Sequence, residues 1–251
     1  MSLEYLYLAF IVLLARTAIG SGEHAIHLPR FAMWTAAQLF ALVAMRIVPA
    51  LALPAAAIIL VNLGAFLLER KESTRNLVRF FAAVLLLATL SFIGPPESSA
   101  VRFAAWVVRL SHAVAGASLL LAGLDGRSVA SALSILSGAL FVSVEINNLT
   151  RYILLRLKVA PTTGAGEQDP GERELRRGKM IGIIERLLIY YFVLTANLAA
   201  IGFVLAAKGF TRFRELDNRD FAEYVLIGTL LSAGGAILVG IATELALKTL
   251  L

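Results

Sequence analysis

The sequence predicts an all-α polytopic membrane protein, built as a transmembrane helical bundle of eight or nine segments. Of the 251 residues, 59% are hydrophobic and 16% are charged, whereas soluble domains average about 45–50% and about 25%. The mean hydropathy is +0.82. Several apolar runs reach the length of about 20 residues that a bilayer crossing requires. These observations exclude a water-soluble globular fold and a disordered chain.

Six segments are predicted in an N-terminal membrane block, residues 1–158. The first, residues 3–19, has an acidic start, which argues against a secretory signal because such signals begin with basic residues. Pro49 and Pro54 divide the apolar stretch 31–68 into two helices, since a proline inside a helix removes a hydrogen bond and clashes with the preceding turn. The other three segments are predicted at residues 76–92, 100–121 and 128–149.

A polar linker, residues 159–179, separates this block from a C-terminal membrane block, residues 180–251. The apolar stretch 180–207 could form one tilted helix, but basic residues flank it on both sides, and such residues prefer the cytoplasm. A tight helical hairpin that turns near Asn197 places both flanks and the linker in the cytoplasm, so we predict the hairpin. The last helix is predicted at residues 222–247. The preference of basic residues for the cytoplasm does not determine the topology of the first six segments.

The hairpin would bring ionisable residues of the C-terminal block together. Its antiparallel register places Glu185 level with Lys208, and the next connection places Arg212 level with Glu223, while Arg186 has no evident partner. A charge in hydrocarbon costs about 2.5–3.5 kcal/mol on insertion scales, so each needs a partner or a function. One interpretation is a salt-bridge network. The other is a site for an anion, such as a lipid phosphate or a small carboxylate solute, held by the two arginines.

A second set of ionisable residues falls on the fifth and sixth predicted segments. Arg102, Arg109 and His112 share one broad helical face. A turn at residues 125–126 would place Glu145 level with the gap between the two arginines. A buried ion pair is one interpretation. The alternative is a proton-coupled site formed by His112 and Glu145 in a permeation route, because histidine titrates near neutral pH.

The last helix carries small residues at four-residue spacing. Stripes of this kind let helix backbones approach closely in lipid. We expect the stripe to contact another helix of the same chain or a second copy of it, so a homo-oligomer through this helix is one expected assembly; the alternative role is a pore lining. Its members are Gly228, Ser232, Ala236 and Gly240.

No residue pattern indicates a reaction, a cofactor or a metal site. The chain has no cysteine, which excludes disulfides and thiolate ligands. His24 and His27 lie three positions apart, but no third ligand is evident. No nucleophile elbow, P-loop or dinucleotide-binding glycine motif is present, so no catalytic residue is assigned. The net charge of +6 indicates contact with the lipid bilayer rather than with nucleic acid.

Three strings in the C-terminal half carry a resemblance: GKMIGIIERL at 178–187, AIGF at 200–203 and EYVLIGTLLS at 223–232. With them, about residues 138–240 resemble a family of bacterial multi-pass inner-membrane proteins that carries only a domain-of-unknown-function label. The resemblance implies a multi-pass protein of the bacterial inner membrane with a polar turn at 195–198. It implies no reaction, and it does not extend to the N-terminal half.

These patterns predict a transporter or channel-like protein, with two alternatives: a scaffold or accessory subunit, and a lipid-headgroup-binding or lipid-modifying protein. The buried charges favour a transporter or channel-like protein with a solute, anion or proton site. The small-residue stripe and the absence of catalytic motifs favour a non-catalytic scaffold or accessory subunit. A lipid-headgroup-binding or lipid-modifying protein would need a polar cavity level with Arg186 and Arg212. A water-accessible cavity at Glu145 or Glu185 would favour transport, whereas a closed, charge-paired core would favour the scaffold.

Overall fold

The computed structural model describes residues 3–17, 26–45, 51–91, 103–105, 109, 126–157, 172–211 and 219–250. These residues are helical, as predicted, apart from short connections and one isolated antiparallel bridge between Met45 and Phe103. Short 3-10 turns at Ala41–Ala44 and Glu72–Thr74 accompany the α-helices. The described α-helices are α1 (Leu3–Thr17), α2 (Leu28–Phe40), α3 (Ala52–Leu68), α4 (Arg75–Ser91), α5 (Gly126–Leu157), α6 (Glu172–Leu194), α7 (Leu198–Thr211) and α8 (Arg219–Leu250).

Three of the described helical segments are long and apolar enough to cross a membrane, namely Glu72–Ser91, Gly126–Leu157 and Ala222–Thr249. The expected eight or nine spans are therefore not found in the described part of the chain. Helix α6 has 23 residues but carries several charges, among them Lys179, Glu185 and Arg186; for the other apolar helices the reason is length. The other apolar helices have only 10–17 residues, and a helix rises about 1.5 Å per residue against a hydrocarbon core of about 30 Å. Most of the predicted segment 100–121 lies outside the described residues.

Two hydrophobic cores organise the described helices. The first contains buried side chains from α1, α3 and α4 and from the turn after α2, including Leu8, Ile58 and Leu86. The second joins α5, α6, α7 and α8 through residues such as Val142 and Ile189. Helix α5 connects the two groups because it packs against α1 and α4 as well as against α6 and α8.

The chain reverses between α6 and α7, near Asn197, as the hairpin prediction requires. Ala196 has a φ of 54°, in the left-handed region. The N–H of Asn197 donates to the Phe192 carbonyl at 2.8 Å, and the N–H of Ala196 donates to the Val193 carbonyl at 3.0 Å. This pair of bonds is the Schellman motif, which ends a helix by satisfying its last carbonyls. The turn therefore satisfies two of the last backbone carbonyls of α6.

Candidate functional site

The hairpin brings Glu185 and Lys208 together, and this contact confirms the predicted register. The Lys208 ammonium donates a hydrogen bond to Glu185 Oε2, and the two side chains are 19% and 17% exposed. Opposite charges that are mostly removed from solvent attract each other strongly because little water screens them. The ion pair therefore holds the two arms of the hairpin together near their open end.

Arg186, for which the sequence offers no partner, is buried against α5 and α8. Its guanidinium donates to the carbonyls of Val142 at 3.1 Å and Ser143 at 3.3 Å, and to the Ser232 hydroxyl at 3.3 Å. A helix carbonyl has a second lone pair available for such a bond. Among the described residues no carboxylate forms an ion pair with this arginine. Arg186 therefore links α6 to α5 and α8, and all three of these hydrogen bonds go to oxygen atoms of the protein.

The predicted five-residue anion cluster is only partly assembled. Glu223 is exposed and pairs with Arg219, one helical turn earlier, at 3.1 Å, while Arg212 lies outside the described residues. The cavity beside Arg186 and the Glu185–Lys208 pair has a volume of about 10 Å³. A single water already needs about 10–15 Å³, so this cavity has no room for a phosphate group or a carboxylate solute.

Glu145 is fully buried on α5, but its partner is not the predicted one. Arg16 of α1 donates from Nε to Glu145 Oε1 at 2.6 Å, and Asn148 Nδ2 donates to Oε2 at 3.1 Å. Arg109, predicted to flank this carboxylate, is exposed, and the described ion pairs join Glu145 to Arg16 instead. Arg102 and His112 lie outside the described residues. The register argument considered the preceding segment and did not consider α1, which packs against α5.

A second buried ion pair lies next to the first and was not predicted. Arg79 of α4 donates from Nε to Glu69 Oε2 at 3.0 Å, and both side chains are buried. The other Glu69 oxygen accepts the backbone N–H of Ile26 at 2.7 Å. Arg16 also donates to the Arg79 carbonyl. We call Arg16, Glu69, Arg79, Glu145 and Asn148 the ion-pair network.

The sequence carried only a weak signal for this network. Arg16 ends an apolar run, and Glu69 stands at the start of the polar stretch between the apolar sequence 31–68 and the helix predicted at 76–92. A charged residue beside apolar sequence is ambiguous, because it can face solvent or a buried partner. Only its neighbours in space distinguish the two cases. The partner of Arg16 lies 129 positions away, whereas the partner of Glu69 lies 10 positions away on the next helix.

The small-residue stripe of α8 packs within the chain. Ala236 is fully buried, and a Cβ on Gly240 would lie 2.7 Å from a methyl carbon of Val193 on α6. A Cβ on Gly228 would lie 3.4 Å from Leu154 on α5, and Ser232 receives the bond from Arg186. The stripe thus allows α8 to approach α5 and α6 closely, as expected for one of its two predicted roles.

A larger, mostly apolar groove runs between α1, α4, α5 and α8. Its volume is about 290 Å³. All three segments that could cross a membrane contribute to its walls, and none of its described lining residues is charged. Apolar side chains in the lining include Leu6, Leu13, Leu87, Phe141 and Val239.

Comparisons of the chain with protein-family models, with curated proteins and with solved structures find no match. The resemblance of about residues 138–240 to a bacterial membrane-protein family therefore stays a prediction from the quoted strings. Within the described residues, no three histidine, aspartate or glutamate side chains lie close enough together to hold a metal ion. The function must be inferred from the geometry of the buried charges and of the surface.

Proposed function

We propose that this chain is a non-catalytic scaffold or accessory subunit of the bacterial inner membrane, in which buried charges hold the helices together. The observation that carries the proposal is the pairing of three acids: Glu69, Glu145 and Glu185 each form an ion pair with a cation from another helix. Breaking a buried pair leaves an uncompensated charge, which costs several kcal/mol. These carboxylates are therefore better suited to joining helices than to releasing a partner for a passing solute.

The size of the cavities beside these pairs supports the same conclusion. The cavity at Glu185 measures about 10 Å³, and the cavity at Glu69 about 20 Å³. A permeation route needs continuous space for water and solute. Each of these cavities has room for about one water molecule, which needs about 10–15 Å³. The described part of the chain thus supports a closed, charge-paired core. The transport hypothesis also relies on Arg102 and His112, outside the described residues, and stays a prediction.

Helix α7 provides the surface through which an accessory subunit would contact another membrane protein. Its one buried residue is Ile201, while Phe203 and Phe210 are 76% and 85% exposed. A Cβ on Gly202 or Gly209 would meet open space. Exposed aromatic side chains thus alternate with positions where another backbone could approach closely, which is how helices associate in lipid.

Cysteine crosslinking tests this proposal cleanly because the chain has no cysteine of its own. A photoactivatable maleimide is attached to F203C in membranes of the native host, and L245C on α8, 58% exposed in the wild type, serves as the matched control. We expect a crosslinked band containing a second protein at position 203 and none at position 245. A chain that yields no such band, and that is monomeric after gentle detergent extraction, would contradict the scaffold proposal.

The apolar groove favours a second candidate function, binding of a lipid acyl chain. An apolar cavity of about 150 Å³ takes up benzene, so the groove, at about 290 Å³, has room for a longer hydrocarbon. Native mass spectrometry of protein titrated with dioleoylphosphatidylethanolamine tests this candidate. A242F fills the groove and should abolish a saturable one-to-one adduct. A56F, which adds the same ring at an exposed alanine outside the groove lining, should leave the adduct unchanged, and equal binding by both variants would exclude the groove.

A further inference from the structure

Polar side chains of α2 and α3 contact each other in the first group of helices, apart from the ion-pair network. Asn62 of α3 donates to the Gln38 side-chain oxygen at 2.7 Å and to the Thr35 hydroxyl at 3.3 Å. Trp34, one position before Thr35, is 95% buried, as its relative exposure of 5% shows. Its indole N–H has no hydrogen-bond partner in the described structure. A buried donor without a partner is costly and calls for an acceptor.

A small cavity adjoins this indole. It lies between α1, α2, α3 and α4 and has a volume of about 20 Å³. Its wall includes members of the ion-pair network as well as polar residues of α2 and α3. The polar side chains that line it are Arg16, Trp34, Thr35, Asn62, Glu69 and Arg79.

We propose that this cavity is a hydration site that holds one ordered water molecule. The water accepts a hydrogen bond from Trp34 Nε1–H and donates to acceptors in the same wall, the Glu69 carboxylate and the Thr35 hydroxyl. Buried waters require about 10–15 Å³ and two to four polar partners, and the cavity meets both conditions. Each Glu69 oxygen already accepts one hydrogen bond and has lone-pair capacity for another.

The charges around the cavity favour water over an ion. A cation is disfavoured because the wall carries two positive side chains, Arg16 and Arg79, and the partial positive charge of the indole N–H. The Glu69 carboxylate in the same wall disfavours an anion. A small neutral molecule that both donates and accepts hydrogen bonds suits this mixed lining. The water connects the polar side chains of α2 and α3 to the ion-pair network, so the two form one continuous polar core.

Solution NMR tests the proposal through the indole N–H resonances. The chain has two tryptophans, Trp34 and Trp106, so W34F assigns the Trp34 signal by its disappearance. In the ¹⁵N-labelled full chain in detergent micelles, we expect a cross-peak between the Trp34 indole proton and a long-lived water. A wild-type spectrum without that cross-peak would overturn the proposal.

Filling the cavity provides the matched comparison. A65V adds two methyl groups at the cavity wall, whereas A56V makes the same change on an exposed face of the same helix. We expect the water cross-peak to be lost in A65V and kept in A56V; an undiminished cross-peak in A65V overturns the proposal. If A65V does not fold, a high-resolution density map of the wild type tests the proposal instead. Density about 2.7–3.2 Å from Trp34 Nε1 supports the site, and an empty cavity in a map that resolves other waters overturns it.

Discussion

Arg16 and Glu145 lie 129 positions apart in the sequence and form an ion pair with an Nε–Oε1 distance of 2.6 Å. Their side chains are 3% and 1% exposed. The pair connects α1 to α5, and the bond from Arg16 to the Arg79 carbonyl extends the connection to α4. Such a pair specifies which helices meet, because each charge is costly to bury anywhere that lacks its partner.

Breaking this pair from one side should destabilise the protein strongly. We expect E145Q to lower the free energy of unfolding by about 3–5 kcal/mol, since it leaves Arg16 buried without a counter-charge. The double variant R16M/E145L should lose much less, because neither charge remains. Unfolding by SDS titration in detergent micelles measures both values. E223Q, at an exposed ion pair, is the control and should change stability by less than about 1 kcal/mol. A double variant less stable than E145Q would contradict this account.

Replacing the left-handed residue of the hairpin turn with glycine should stabilise the protein. Ala196 has a φ of 54°, which costs an L-residue with a Cβ about 1 kcal/mol or more. A196G should therefore raise the free energy of unfolding by about 1 kcal/mol. A200G is the matched control inside α7, where glycine should instead cost about 0.5–1 kcal/mol. Changes of the same sign in both variants would show that the turn is not the origin of the effect.

Gly138 on α5 should not tolerate a side chain. A Cβ there would contact the Tyr190 hydroxyl and would lie 2.6 Å from the Thr243 hydroxyl oxygen. We expect G138A to cost about 1–3 kcal/mol by overpacking. G64A on α3, where a Cβ meets open space, should be neutral or stabilising. Thermal unfolding of the three proteins in the same detergent gives the comparison, and an unaffected G138A would mean that α5, α6 and α8 pack less closely than described.

The tip of the hairpin should end within the hydrocarbon. Helix α7 has 14 residues, a length of about 21 Å, and the hydrocarbon core is about 30 Å thick. In sealed vesicles, N197C should therefore resist a membrane-impermeant maleimide from both sides, while G178C and T211C at the open end should react from one shared side. Rapid labelling of N197C from the opposite side would show that the hairpin crosses the whole bilayer.

The sequence alone predicts the helical nature of the chain, the reversal near Asn197 and the Glu185–Lys208 pair. These features depend on contacts local in sequence. A polar Thr-Ala-Asn turn interrupts an apolar run, and the two members of the pair are 23 positions apart on adjacent arms. Once the turn is placed, the rise per residue of an α-helix sets which residues are level with each other. No knowledge of the other helices is needed.

The partners of Glu145 and Arg186 follow only from the packing of helices that are distant in sequence, whereas Glu69 pairs with Arg79, 10 positions later on the next helix. Arg16 reaches Glu145 because α1 packs against α5, and Arg186 reaches the carbonyl of Val142 because α6 packs against α5. Apolar periodicity identifies a buried face but does not say which other helix covers it, since dispersion and hydrophobic contact have no direction. The eight or nine crossings predicted from composition also exceed the three long apolar segments found among the described residues. Composition shows how apolar a stretch of sequence is, but it does not show where the folded chain turns. Those turns leave several of the apolar helices too short to cross a bilayer.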